Sequence, residues 1–218
     1  MATATATATP PVLHRLRSLD TSLSQSLHTR LNPFIPGHLL LLLEYSADFR
    51  LFFPVSLSLY FTPFRRSFAI PFIAGLLIDL LFIGLVKSIF RRSRPHYNPN
   101  MIPAVSVDHF SFPSGHASRV FFIAAFASFF AVFESTSWFL LFVWTWALLT
   151  SVSRVFLGRH FVLDVLAGAC VGVLEALFVF RFLRLDISEF AVLHSDVYAI
   201  FTPPQTEIQF ESNSGIWF

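Results

Sequence analysis

The chain has 218 residues, of which 55% are hydrophobic and only 13% charged, with a formal net charge of +2 and a mean hydropathy of +0.66. Soluble domains carry about a quarter charged residues, so these values exclude a disordered chain and an ordinary soluble enzyme, and no dense basic face is present for nucleic acid. The single cysteine, Cys170, excludes an intrachain disulfide and a cysteine-based zinc site.

Residues 1–9 alternate Ala and Thr after Met1 and read as disordered. No continuous apolar run of a signal peptide occurs in residues 1–30. After Pro10 and Pro11, leucines at 13, 16, 19, 23, 27 and 31 recur at helical spacing, flanked by Arg15, Arg17 and Arg30. This pattern predicts an amphipathic helix on a membrane surface. The same Ser/Thr-rich, Arg-bearing composition also fits a plastid transit segment.

Residues 38–62 are apolar but broken by Glu44, Asp48, Arg50 and Pro54, which admits one imperfect span or two short helices. Residues 68–90, 117–133, 137–153 and 161–183 are clearer spans, each near the ~20 residues that cross a hydrocarbon core of about 30 Å. The short Glu134–Ser137 link makes its two neighbours antiparallel. Asp79 and Glu175 sit inside spans, where each costs about 2.5–3.5 kcal/mol on insertion scales, so both should face the bundle interior. Cys170 reads as a buried structural thiol. Gly168 and Gly172 form a GxxxG pair that fits a neighbouring helix of the same bundle or a second copy of the chain. Nothing in residues 186–218 carries chemistry.

Three polar clusters stand at span ends. Lys87, the only lysine, and Arg94 lie two helical turns apart and share a face if the helix persists to Pro95, which disfavours helix at Arg94. Ser114, Gly115 and His116 precede the third span, where Ser114 is placed as an N-cap and Gly115 opens the backbone to an anion. Arg154, His160 and Asp164 bracket the start of the fifth, with His160 and Asp164 at i and i+4, so that the carboxylate can hold one imidazole nitrogen as N–H. Alternating span directions put all three clusters on one membrane face. Arg91, Arg92, Arg119 and Arg159 fall outside the pattern and read as anchors or substrate-path residues.

The ordered set K-x6-R-P, P-S-G-H and S-R-x5-H-x3-D, from Lys87 to Asp164, resembles the signature of the type 2 phosphatidic acid phosphatase (lipid phosphate phosphatase) superfamily. The stretches Arg94-Pro-His-Tyr-Asn-Pro-Asn, Val105-Ser-Val-Asp108 before Phe110-Ser-Phe-Pro-Ser-Gly-His116, and Leu157-Gly-Arg-His160 are similar to its polyisoprenoid and presqualene diphosphate phosphatase branch. The resemblance implies an all-α transmembrane bundle of five to six spans and a lipid phosphate substrate, with no metal and no cofactor. It implies catalytic roles for His160 (nucleophile), Asp164 (orienting His160) and His116 (proton donor to the leaving oxygen). It implies phosphate binding by Lys87, Arg94, Arg154 and the Ser114–Gly115 amides. The family core usually has six spans, with the Lys87 cluster ending the third, whereas only one uncertain apolar region precedes it here. Residues 1–32 then form a disordered start and surface helix, 33–185 the transmembrane phosphatase domain and 186–218 a tail.

A lipid phosphotransferase, a vanadate-dependent haloperoxidase and a non-catalytic lipid-binding protein are the competing readings. The apolar spans weigh against the haloperoxidase, whose relatives are soluble. Apart from Lys87, Arg94 and Arg154, six arginines fall on the site face and four on the other, which leans toward a cytosolic site. Endoplasmic reticulum is the first expectation for the organelle and a plastid membrane the second.

Overall fold

A computed structural model of the chain describes residues 11–61, 66–97, 109–131 and 137–183. The Ala/Thr start, the Val105–Asp108 stretch, most of the Glu134–Ser137 link and the tail lie outside the described residues. The elements are α1 (Pro11–Leu31), a 3₁₀ turn (Asn32–Phe34), α2 (Gly37–Ser46), α3 (Phe49–Tyr60), α4 (Arg66–Phe90), α5 (Gly115–Ala131), α6 (Ser137–Phe156) and α7 (Val162–Phe178). A π-helical turn, Val179–Leu183, continues α7. The chain is all-α as expected: the described residues contain no strand, only the isolated bridge Ser93–Phe110.

Among the described residues, three helical stretches have the length and apolarity to cross a bilayer: Phe68–Phe90, Trp138–Phe156 and Val162–Leu183. The apolar region before α4 is two short helices. They break at Ala47–Asp48, where the Asp48 carboxylate takes the Arg50 N–H at 2.9 Å and caps α3. α2 lies on α6 through a Trp146 Nε1–Ser46 Oγ hydrogen bond of 2.9 Å, and α3 packs on α4.

α5 is the innermost helix. Ala117, Val120, Phe122, Ala124 and Phe126 are fully buried along it. α7 packs closely against it at the GxxxG pair. A Cβ on Gly168 would collide with the Ser114 carbonyl, and one on Gly172 with the Ser118 carbonyl. The pair therefore joins two helices of one bundle. Phe72, Leu76, Phe122, Phe126, Ala176 and Val179 fill the core between α4, α5 and α7.

Asp79 and Glu175 face the interior as expected. Both are buried, and Arg119 of α5 reaches Asp79 at 3.2 Å and the Ala47 carbonyl at 3.0 Å. Cys170 corrects the reading of a buried thiol. It is exposed on α7, on the outward stripe of Leu163, Leu166, Leu174 and Leu177. A helix apolar on all sides carries no periodic sign of which face is lipid.

Candidate active site

The end of α4 is set by Arg91, whose φ of 45° is the left-handed conformation that stops a helix. Lys87 is buried in the last turn, while Arg94 lies beyond the helix. The helix does not persist to Pro95, so these two cations do not share a helical face. Arg94 is placed instead by pairing between the chain segments after α4 and before α5. Ser111 N–H donates to the Arg92 carbonyl at 2.7 Å, and Ser111 Oγ to the Ser93 carbonyl at 3.1 Å.

Ser114 caps α5, its Oγ accepting the Ala117 N–H at 3.4 Å. Its own N–H donates to the Asp164 carbonyl at 3.0 Å, which ties this turn to the first turn of α7. His116 follows in the first turn of α5. The charges of Arg154, Arg119 and Lys87 all bear on it.

The spacing between Arg154 and His160 has a local cause. Gly158, at φ 64°, ends α6 in a Schellman turn: Gly158 N–H donates to the Val155 carbonyl and Arg159 N–H to the Arg154 carbonyl, both at 2.9 Å. The chain reverses there and delivers His160 beside Arg154. Both are buried.

His160 Nδ1 lies 2.7 Å from the Ser111 carbonyl and 3.8 Å from Asp164 Oδ2. The hydrogen bond therefore belongs to Ser111, and the Asp164 carboxylate stands beyond hydrogen-bond distance of the ring. Asp164 is otherwise committed: Oδ2 accepts the Phe161 N–H at 2.9 Å and Oδ1 the Arg92 Nη1 at 2.7 Å. A carbonyl only accepts, so Nδ1 carries the proton of the neutral ring and Nε2 carries the lone pair. Arg94 Nη1 is 3.4 Å from that Nε2 and donates to the Arg159 carbonyl at 2.9 Å. The arrangement offers the lone pair of a neutral imidazole beside the Arg94 cation, which suits attack on a phosphoryl group.

The sequence pattern of the PAP2 superfamily matches residues 68–187, more than half of the chain. The chain belongs to the PAP2 superfamily. It is similar to the "Probable lipid phosphate phosphatase beta" of Arabidopsis thaliana, 51% identical over 193 residues, which cover 78% of this chain and 91% of that protein. It is also similar to the phosphatidylglycerophosphatase B of Bacillus subtilis, 33% identical over 108 residues, 46% of this chain and 53% of that one. Two crystal structures share its fold. The transmembrane PAP2-type phosphatidylglycerolphosphate phosphatase of Bacillus subtilis has a TM-score of 0.63 at 24% identity, covering 77% of this chain and 86% of that chain. LpxE of Aquifex aeolicus has a TM-score of 0.60 at 22% identity, covering 75% and 96%. As a PAP2 member with apolar spans, the protein is an integral membrane phosphatase of that family.

Several residues of this PAP2 site escape sequence reasoning. Glu44 reads as an interruption of an apolar run, yet it meets Arg154 at 3.3 Å and Arg159 at 3.5 Å. Arg92 reads as an anchor or a substrate-path residue, yet it bridges Asp164 and Asp20. Ser111 lies in the Phe110–His116 stretch that carries the resemblance, but nothing in the sequence marks its contact with His160, because its carbonyl and not its side chain makes it. An acid inside a weakly apolar run is the one available hint, since such a group needs a buried cation.

Proposed function

We propose that the protein is a membrane lipid phosphate phosphatase that hydrolyses phosphatidate, isoprenoid mono- and diphosphates, or both, through a phosphohistidine on His160. The observation that carries this reading is the Ser111 carbonyl on His160 Nδ1, which leaves the Nε2 lone pair toward Arg94.

In the first step Nε2 attacks phosphorus and the bond to the lipid oxygen breaks. His116 gives that oxygen its proton and the lipid alcohol departs; from a diphosphate, the lipid monophosphate departs. In the second step water attacks the phosphohistidine, His116 takes the water's proton, and phosphate leaves with His160 restored. Lys87, Arg94, Arg154 and the Gly115 amide hold the phosphoryl oxygens; the Ser114 N–H, expected from the sequence to join them, is taken by the Asp164 carbonyl, and Ser114 serves as the cap of α5. Asp164 stabilises the positive charge that the ring gains on phosphorylation. Positioned positive charge supplies most of the stabilisation in such transfers, and no metal or cofactor has a part in it.

The protein resides in the endoplasmic reticulum membrane on this reading. α1 lies along the membrane surface with Leu13, Leu16, Leu19 and Leu23, all half or more exposed, toward lipid. Residues 33–185 form the phosphatase unit.

The test uses purified full-length protein in detergent, with phosphatidate and farnesyl diphosphate as substrates and EDTA in excess. Phosphate release from either, with an acid-labile phosphoenzyme that disappears in His160→Ala, is the expected result, and the ratio of kcat/KM values selects the substrate class. Full turnover in His160→Ala, or strict dependence on Mg²⁺, sinks the reading.

A further inference from the structure

The helix that carries Asp164 has no side chain of its own on its first-turn amides; Asp164 Oδ2 takes the N–H of the N-cap residue. Its N-cap residue is Phe161, whose side chain has no acceptor for the first-turn amides. α1 supplies the missing acceptors. Ser24 Oγ accepts the Val162 N–H at 2.9 Å, and Asp20 Oδ1 accepts the Leu163 N–H at 3.0 Å. Asp20 and Ser24 are one turn apart on α1, and both are buried. One turn further, His28 Nδ1 donates to the Phe156 carbonyl at 2.6 Å and fastens α1 to the end of α6.

Asp20 has a second partner. Its Oδ2 accepts Arg92 Nη2 at 2.6 Å, while Arg92 Nη1 reaches Asp164 Oδ1 at 2.7 Å and the guanidinium lies 4.1 Å from the centre of the Phe161 ring. Arg92 is therefore shared between two carboxylates. Without Asp20 it would cancel the charge of Asp164, whose Oδ2 is 3.8 Å from His160 Nδ1. With Asp20 the three groups keep a net negative charge beside a ring that becomes cationic when phosphorylated. Tyr97 reports on the same surroundings. Burial, with the charges of Asp20 and Asp164 and against that of Arg92, pushes its phenol up to about 12.

We propose that Asp20 and Ser24 are positioning residues of the phosphatase reaction: α1 caps the site helix from outside, and Asp20 keeps Arg92 from cancelling the Asp164 charge at His160. The proposal rests on His160 as the nucleophile.

The test uses full-length Asp20→Asn, Ser24→Ala, Arg92→Gln and the Asp20→Asn/Arg92→Gln double variant. The readouts are kcat and KM on phosphatidate, the thermal midpoint, and amide exchange at Val162 and Leu163. Asp20→Asn should lower kcat about tenfold with KM within about twofold. The double variant should recover to within about threefold of wild type, because the cation that cancels Asp164 is then gone. A kcat for Asp20→Asn equal to wild type overturns the proposal, as does a double variant whose losses simply multiply. Ser24→Ala should speed exchange at Val162 by at least about threefold, and unchanged exchange overturns the cap whatever the turnover. A wild-type protein without phosphatase activity, or a fully active His160→Ala, defeats the parent reading alone. The exchange experiment still decides the cap in that case.

Discussion

Two arginines in this protein each stand with a pair of carboxyl groups, and they stand in different places. Arg92 lies at the site end, between Asp20 of α1 and Asp164 of α7, and keeps some contact with solvent. Arg119 lies inside the bundle on α5, 3.2 Å from Asp79 of α4, with Glu175 of α7 next to that aspartate. The first group includes Asp164, 3.8 Å from His160 Nδ1, and the Arg92 carbonyl accepts the N–H of Ser111, whose own carbonyl meets that ring. The second joins the three helices whose ends carry the site. On the proposed mechanism, similar chemistry serves the reaction at the site end and the architecture inside the bundle. The difference lies in what surrounds each cation: helix ends with open amides in one case, closely packed helix interiors in the other.

The sharpest way to break this contrast is Arg119→Met. It leaves Asp79 and Glu175 buried without their cation, and the cost of an uncompensated buried charge is about 3–5 kcal/mol. The thermal midpoint in detergent should fall steeply, and the triple variant Asp79→Asn/Arg119→Met/Glu175→Gln should recover most of it. A stable single variant with impaired turnover would move Arg119 from the architecture to the site.

Lys87→Met tests the other side. Removing one positioned donor from a phosphoryl site costs about 10²–10³ in kcat. Membrane insertion and thermal midpoint should hardly change. Failed insertion with normal specific activity would return Lys87 to the interfacial anchors.

Glu44→Gln should give the smallest effect. Glu44 is partly exposed and its contacts with Arg154 and Arg159 are long, so the pairing is worth at most about 1 kcal/mol. KM for a phosphorylated lipid should shift by no more than about fivefold, with kcat unchanged. A large fall in kcat would make Glu44 part of the orienting set.

Much of the site is legible in the amino-acid sequence, because its motifs are also local folding instructions. The five residues between Arg154 and His160 contain the glycine of a Schellman turn, and Ser114 caps the helix it precedes. The GxxxG pair likewise states that α7 meets another helix closely, although only the fold identifies that helix as α5. The seven-residue step from Lys87 to Arg94 misleads: it suggests one helical face, but the helix ends at Phe90 and a bridge to Phe110 carries Arg94 into place. Arg92 and Asp20 are separated by 72 residues, Arg154 and Glu44 by 110, and Leu163 and Asp20 by 143. No periodicity or short motif connects such pairs.

Composition and short-range pattern suffice for the membrane setting, the helical class, the family and the residues at the span ends. Each of these follows from residue content or from contacts within a turn or two, where the backbone imposes the spacing. Packing alone establishes that Ser111 and not Asp164 hydrogen-bonds His160, that α1 closes the start of α7, and which cation faces which acid. Those outcomes depend on how whole helices meet, because a buried charge or an open amide takes whichever partner the fold brings within reach.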